Sequence, residues 1–223
     1  MVLVFPLLFS CFCFMDTMVL TDIKIRKAEI SDYKILAEKH IEVFPDFFMS
    51  SLGLSFLRTY YKYVLQHPDT ISFFAENDGE VVGYVVGRLK TKGFQKSVIK
   101  RNPLPFLWQG IKLIFTRPGA LIRIFKNLEK RKDDGDIHDN QDYGEIGLIG
   151  INPSLKGKGV GRKLLGKIEE ELHRHNVSRL SLTTDYYNND NTLAAYKAWG
   201  FHVLYDFKTY PDRRMYRLIK DVQ

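Results

Sequence analysis

Cysteine is nearly absent from this chain: its 223 residues hold only Cys11 and Cys13, both close to the start. The body of the protein therefore has no thiol for a disulfide framework, a thiolate metal site or a nucleophilic cysteine. The six histidines (His40, His67, His138, His173, His175 and His202) show no metal-ligand spacing, so they are read as surface or packing residues and no metal is predicted. No apolar run reaches the roughly 20 residues that cross a bilayer. The nearest, residues 1–14, lacks the positive flank of a secretory signal, since the first basic residue is Lys24. We read residues 1–17 as an extension outside the fold, with Met15 and Met18 as later starts; a lipoprotein-type signal cleaved at Cys11 is the rival. Linkers and low-complexity stretches are also missing from residues 18–223, which are expected to form a single domain.

What is present is most informative at Ile149-Gly150-Ile151-Asn152-Pro153-Ser154-Leu155-Lys156-Gly157-Lys158-Gly159-Val160-Gly161-Arg162. A buried strand stops at a proline and passes through glycines into a helix. Backbone N–H groups at such a helix start have no helical partner and can converge on an anion, assisted by the helix dipole. The glycines keep Cβ atoms out of the way, and Lys156, Lys158 and Arg162 add charge. A Walker loop is excluded, because Asn152 stands where its first glycine belongs and Gly159 follows Lys158. A dinucleotide fingerprint fails at Arg162, and no strand with a terminal acid follows.

A second block, Asn188-Asn189-Asp190-Asn191-Thr192-Leu193-Ala194-Ala195-Tyr196-Lys197-Ala198-Trp199-Gly200-Phe201, reads as a short helix capped near Asp190 and ended by Gly200. Taken alone, Tyr196 would be a core aromatic. The two blocks together, in this order and at this separation, resemble the GCN5-related N-acetyltransferases: basic-x-x-Gly-x-Gly after a strand, then Asn-Asn, a helical Tyr and Gly-Phe. Thr192 stands where that family more often has Ala. The resemblance covers residues 143–220 well and 22–91 loosely.

The resemblance implies acetyl-CoA as co-substrate, its pyrophosphate on Lys156, Gly157, Lys158, Gly159, Val160, Gly161 and Arg162. It further implies that backbone groups of Ile149, Gly150 and Ile151 lie beside the thioester, that Asn189 contacts the cofactor arm, and that the Tyr196 phenol protonates the departing sulfur. Transfer would be direct, in a ternary complex, to a primary amine. Histone-acetylating members carry a glutamate eight residues before the proline, which makes Glu145 the candidate base; a solvent-facing strand residue is the simpler reading of the same position. Asp142, Asp185 and Tyr143 are alternates, and a water chain without a single base is another route.

Element order fits the family's α/β fold, a mixed central sheet with helices on both faces. Strands are expected at 23–28, 70–76, 80–90, 143–152, 178–184, 201–209 and 213–220. Helices are expected at 31–43, 50–66, 159–174 and 190–199, with Asn77-Asp78-Gly79 as a hairpin turn. Between the third and fourth strands lies a basic helical insertion, residues 92–141. From Lys92 to Lys132 it sets eleven Lys and Arg against the single acid Glu129, in a chain whose whole net charge is +7. Apolar residues at helical spacing suggest helices at 104–115 and 118–131. Three uses fit: an ordinary cover with a solvated basic face, peripheral contact with a membrane, or attraction of an anionic acceptor such as a nucleotide sugar. No nucleic-acid partner is expected, since no reading helix or aromatic platform accompanies the charge.

The expected function is N-acetylation of a small-molecule amine in the cytoplasm, an amino sugar or nucleotide amino sugar of surface-polysaccharide synthesis being the favoured acceptor. Protein or peptide N-acetylation, and a catalytically silent acyl-CoA-binding module, are the alternatives.

Overall fold

A computed structural model of the protein describes residues 23–119, 139–209 and 212–222. Seven strands are formed by Lys24–Lys27 (β1), Thr70–Asn77 (β2), Glu80–Arg88 (β3), Gly144–Ile151 (β4), Arg179–Asp185 (β5), His202–Thr209 (β6) and Arg213–Asp221 (β7). They make one sheet in the order β1-β2-β3-β4-β5-β7-β6. Every neighbouring pair is antiparallel except β4 and β5, which run parallel.

A 3-10 turn at Ile30–Asp32 leads into Tyr33–Val43 (α1), followed by Phe48–Ser51 (α2) and Leu54–Leu65 (α3). Phe94–Arg101 (α4) and Pro103–Thr116 (α5) lie between β3 and β4. Val160–Arg174 (α6) follows β4, and Asp190–Ala198 (α7) follows β5. Strand side chains alternate between faces, so Phe73 and Phe74 of β2 serve two separate cores. Phe73 packs with Leu164, Leu165, Ile168 and Leu172 of α6; Phe74 packs with Leu36 of α1 and Leu57 and Val64 of α3. Burial on both faces explains why Ile71–Ala75 reads as an almost unbroken apolar run.

α6 stops in a glycine-free Schellman motif. Asn176 takes a left-handed φ of 56°, while Val177 N–H donates to Leu172 O at 2.9 Å and Asn176 N–H to His173 O at 3.0 Å. The hairpin turn at Asp78-Gly79 has positive φ at both residues, 51° and 82°, as a tight β2–β3 connection requires.

Three expectations are corrected. The helix expected over 50–66 is two helices, because Gly53 sits at φ +87° and breaks the path. α4 was not anticipated; only Phe94 and Val98 anchor it, too few apolar positions for a periodic signal. β3 ends at Arg88 rather than residue 90, where its ladder with β4 ends at Glu145. The helix expected over 118–131 lies almost wholly outside the described residues.

Gly150 is opposite Tyr84 across the β3–β4 ladder. A Cβ there would stand 2.7 Å from the Tyr84 ring, which is fully packed and cannot yield. Gly150→Ala is expected to destabilise the fold by about 1–3 kcal/mol through overpacking, read as a lower urea midpoint with an unchanged slope.

Candidate active site

The parallel ladder between β4 and β5 is short. It pairs Gly144 with Leu180, Glu145 with Ser181 and Ile146 with Leu182, and then stops. On the other side of β4, Val86 faces Leu148 and Gly87 faces Ile146, leaving Gly147 as a bulged residue without an opposite number. Beyond this point β4 is held only by β3, and Thr183–Asp185 only by β7. A wedge opens in the sheet, and along its β4 edge alternate backbone groups of residues 148–151 are left for a ligand. Ile149, Gly150 and Ile151 lie on this edge.

The wedge leads to the glycine loop. Asn152 Oδ1 accepts from Ser154 N–H at 3.0 Å, tightening the turn after the strand. Gly157 and Gly159 take left-handed φ values of 79° and 82°, and a Cβ on either would meet nothing within 4 Å. These two glycines thus face open space in a backbone shape that other residues rarely adopt. Among the described residues, the N–H groups of Gly157, Gly159, Val160, Gly161 and Arg162 have no hydrogen-bond partner. Lys156 and Lys158 are exposed without ion pairs among the described residues, and Arg162 approaches Glu169 only to 3.9 Å. Donors, dipole and free cations together fit a pyrophosphate. Gly161 behaves differently from the other two glycines. Its Cβ would fall 2.8 Å from Ile151 Cδ1 and 3.3 Å from the Trp199 ring, so its smallness serves packing rather than ligand approach.

Tyr196 is buried on α7, its ring edge-on to Trp199 and Phe201. Burial pushes its phenol up to about 12, which keeps the proton on at neutral pH. No described residue accepts from its hydroxyl. Asn189 spends its amide nitrogen on Thr184 Oγ1 at 2.6 Å and Asp185 O at 2.8 Å, fixing the loop from β5 to α7; its Oδ1 is the atom left for a ligand.

On the other side of the wedge lies a cavity of about 440 Å³, walled by α1–α4 residues and by β3, β4, β6 and β7. Its lining is aromatic (Phe47, Phe48, Tyr60, Tyr61, Phe94 and Phe207), with Arg88, Glu145 and Arg217 at the sheet. Glu145 does not face solvent. Arg217 Nη1 donates to its Oε1 at 2.5 Å, and Arg88 Nε donates to its Oε2 at 2.8 Å with Arg88 Nη2 also bound there. Burial alone would raise its pKa, but the two guanidiniums outweigh burial and hold it below the ordinary carboxylate value. A carboxylate so satisfied is a poor proton acceptor.

The alternates fare no better. Asp142 is exposed, Asp185 is held by Arg213 at 2.5 and 2.8 Å, and Tyr143 donates to Asp139 at 2.5 Å, its own pKa pushed up by burial and by that bond.

Of the histidines read as surface or packing residues, His40 packs beside Phe44 and Tyr61 and also lines the cavity. It is buried on α1; its Nδ1 lies 2.5 Å from Tyr61 Oη, while its Nε2 has no protein partner. Burial pushes its pKa down to about 4, so the ring is neutral. No spacing in the sequence links residues 40 and 61; packing of α1 on α3 brings them together.

A central sheet split at β4 and β5, a helix N-terminus at one end of the split and an aromatic-lined cavity at the other define an acyl-CoA-dependent acyltransferase. The model of the GNAT acetyltransferase family matches residues 37–201. The chain belongs to this family and is an N-acetyltransferase. Among solved structures the fold is similar to an N-acetyltransferase from Staphylococcus aureus (TM-score 0.58, 13% identity, 91% of this chain and 100% of that one). It is similar also to NAA60 of Arabidopsis thaliana in complex with acetyl-CoA (TM-score 0.56, 15% identity, 90% and 99%). A third likeness is to the alanine N-acetyltransferase of a ribosomal protein from Escherichia coli (TM-score 0.54, 15% identity, 91% and 95%). No curated protein sequence matches the chain.

Glu145→Gln leaves two buried guanidiniums facing one neutral amide, and is expected to cost about 3–5 kcal/mol. Because the folded pKa of Glu145 is depressed, its contribution is complete above the ordinary value of about 4.5 and is lost as pH falls through the folded value. Urea unfolding of the native chain across that acid range should therefore show a loss of stability that is smaller in Glu145→Gln.

Proposed function

We propose that the protein transfers the acetyl group of acetyl-CoA directly to a primary amine of a small molecule held in the aromatic cavity, with both substrates bound at once. The observation that carries this reading is the split between β4 and β5, which leads from the glycine loop toward an aromatic-lined cavity of about 440 Å³, within the range that small-molecule sites occupy.

Acetyl-CoA supplies the activated acyl group, and its pyrophosphate would be held by the N–H groups of Gly157 and Gly159 to Arg162, with Lys156, Lys158 and Arg162 nearby. The phenol of Tyr196, protonated at neutral pH, is the donor for the leaving sulfur. The amine must lose its proton before attack. Since Asp185 neutralises Arg213, the cavity sets Arg88, Arg217 and Lys208 against the one carboxylate Glu145, and that excess lowers the pKa of an amine placed among them. Amine activation is then electrostatic, with water carrying the proton, and Glu145 holds the two arginines rather than acting as base. The same excess favours an acceptor carrying an anionic group, which supports a nucleotide amino sugar over a polyamine. His40 adds recognition. Among the described residues Tyr61 has no other acceptor for its hydroxyl proton, so it donates to Nδ1 and leaves Nε2–H as a donor for an acceptor oxygen.

Thiol release from acetyl-CoA, screened over amino sugars, nucleotide amino sugars, amino acids, polyamines and peptides, tests the reading. Turnover is expected with anionic amino sugars. Turnover confined to peptides would replace the small-molecule acceptor with a protein one, and acetyl-CoA binding without turnover on any amine would make the chain a silent binding module. With the best acceptor, Tyr196→Phe should lower kcat at least about a hundredfold with little change in acetyl-CoA affinity, the lower end of the range for a lost general acid. His40→Ala should instead raise KM for the acceptor by about tenfold, the worth of one hydrogen bond to a buried group, and leave acetyl-CoA affinity unchanged.

A further inference from the structure

α5 presents two opposite faces. Inward, Gln109 and Leu113 are buried, Gln109 Nε2 donating to Thr59 Oγ1 of α3 at 2.8 Å, and Phe106 packs on Phe56 and Tyr63. Outward, Leu104, Leu107, Trp108, Ile111, Ile114 and Phe115 recur at spacings of three and four, and all six are exposed, Leu104 at 75% and Phe115 at 83%. A soluble surface rarely leaves so large an apolar stripe in water without a use for it.

The charge beside the stripe selects the occupant. Residues 92–119 carry Lys92, Lys96, Lys100, Arg101, Lys112 and Arg117 and no Asp or Glu at all. Lys112 lies over the Trp108 ring at 5.6 Å, at the border between apolar and charged surface. A second copy of the chain would bring six like charges against six, which opposes association through this face. An anionic bilayer answers both features: acyl chains take the apolar stripe, head groups take the cations, and a Trp at the border suits the interface. No described helix is long and apolar enough to cross a membrane, and α5, at about 1.5 Å per residue, has the length of an in-plane anchor.

We infer that α5 docks the protein on an anionic lipid surface, lying in the interface with Leu104, Leu107, Trp108, Ile111 and Phe115 in the acyl boundary and the α4 and α5 cations at the head groups. α4 packs on α5 and supplies Phe94 and Gln95 to the cavity wall, so the anchor is continuous with the acceptor site.

Co-sedimentation of the full chain with vesicles of phosphatidylcholine alone, and of phosphatidylcholine mixed with phosphatidylglycerol, tests this. Binding is expected only to the mixed vesicles, weakening as salt rises. Because the substituted side chains are exposed, the L107Q/F115Q and K96E/K112E variants should stay folded, as circular dichroism will check, and each should bind about tenfold more weakly. Failure of the native chain to sediment with mixed vesicles would overturn the proposal. So would binding that persists unchanged in L107Q/F115Q, which would assign it to another segment such as the apolar first fourteen residues. A dimer in the absence of lipid that L107Q/F115Q dissociates, together with no vesicle binding, would give the face to a second copy instead.

Discussion

Glu145 stands between the guanidiniums of Arg88 and Arg217 at the middle of the sheet, and Arg217 also reaches Ser181 at 3.4 Å. The cluster joins β3, β4, β5 and β7. One pair further on, after Ile146 and Leu182, the ladder between β4 and β5 ends. A hydrophobic substitute could match such a cluster in stability, but it would lack the fixed directions of its hydrogen bonds. The wedge needs those directions. Were β4 and β5 to zip further, the backbone groups of residues 148–151 would be consumed by the sheet, and were they to part earlier, the floor of the cavity would open.

The two sides of the wedge use opposite physical means. At the glycine loop, recognition rests on backbone N–H groups in a water-exposed setting, where many modest donors share one diffuse charge. In the cavity, aromatic side chains surround the buried charges at the sheet, so each acts through a lower dielectric and counts for more. Burial pushes the phenol of Tyr196 up and the ring of His40 down, in each case reinforcing the neutral form it holds at neutral pH.

The parts of the site carried by local backbone geometry were legible in the sequence. Gly157 and Gly159, the proline after β4 and the turn at Asp78-Gly79 each impose a shape on their own neighbourhood, and periods of two and of three or four place the strands and most helices. Features that arise from contacts between distant segments were not. Glu145 meets Arg88 and Arg217 across 57 and 72 positions of chain, so its ion pairs are invisible until the strands are aligned. His40 and Tyr61 are joined by packing of α1 on α3, and α4 holds too little apolar surface to announce itself. Gly161, grouped with its neighbours by spacing, separates from them because only its missing Cβ is filled by Ile151 and Trp199.

That contact gives Gly161 a reach beyond its size. The start of α6 rests on Trp199, and the Trp199 ring stands edge-on to Tyr196 at 5.6 Å. The glycine loop and the Tyr196 phenol are therefore neighbours through one intervening ring, that of Trp199. A larger residue at 161 would therefore press on the packing beside the Tyr196 ring as well as on the turn after β4.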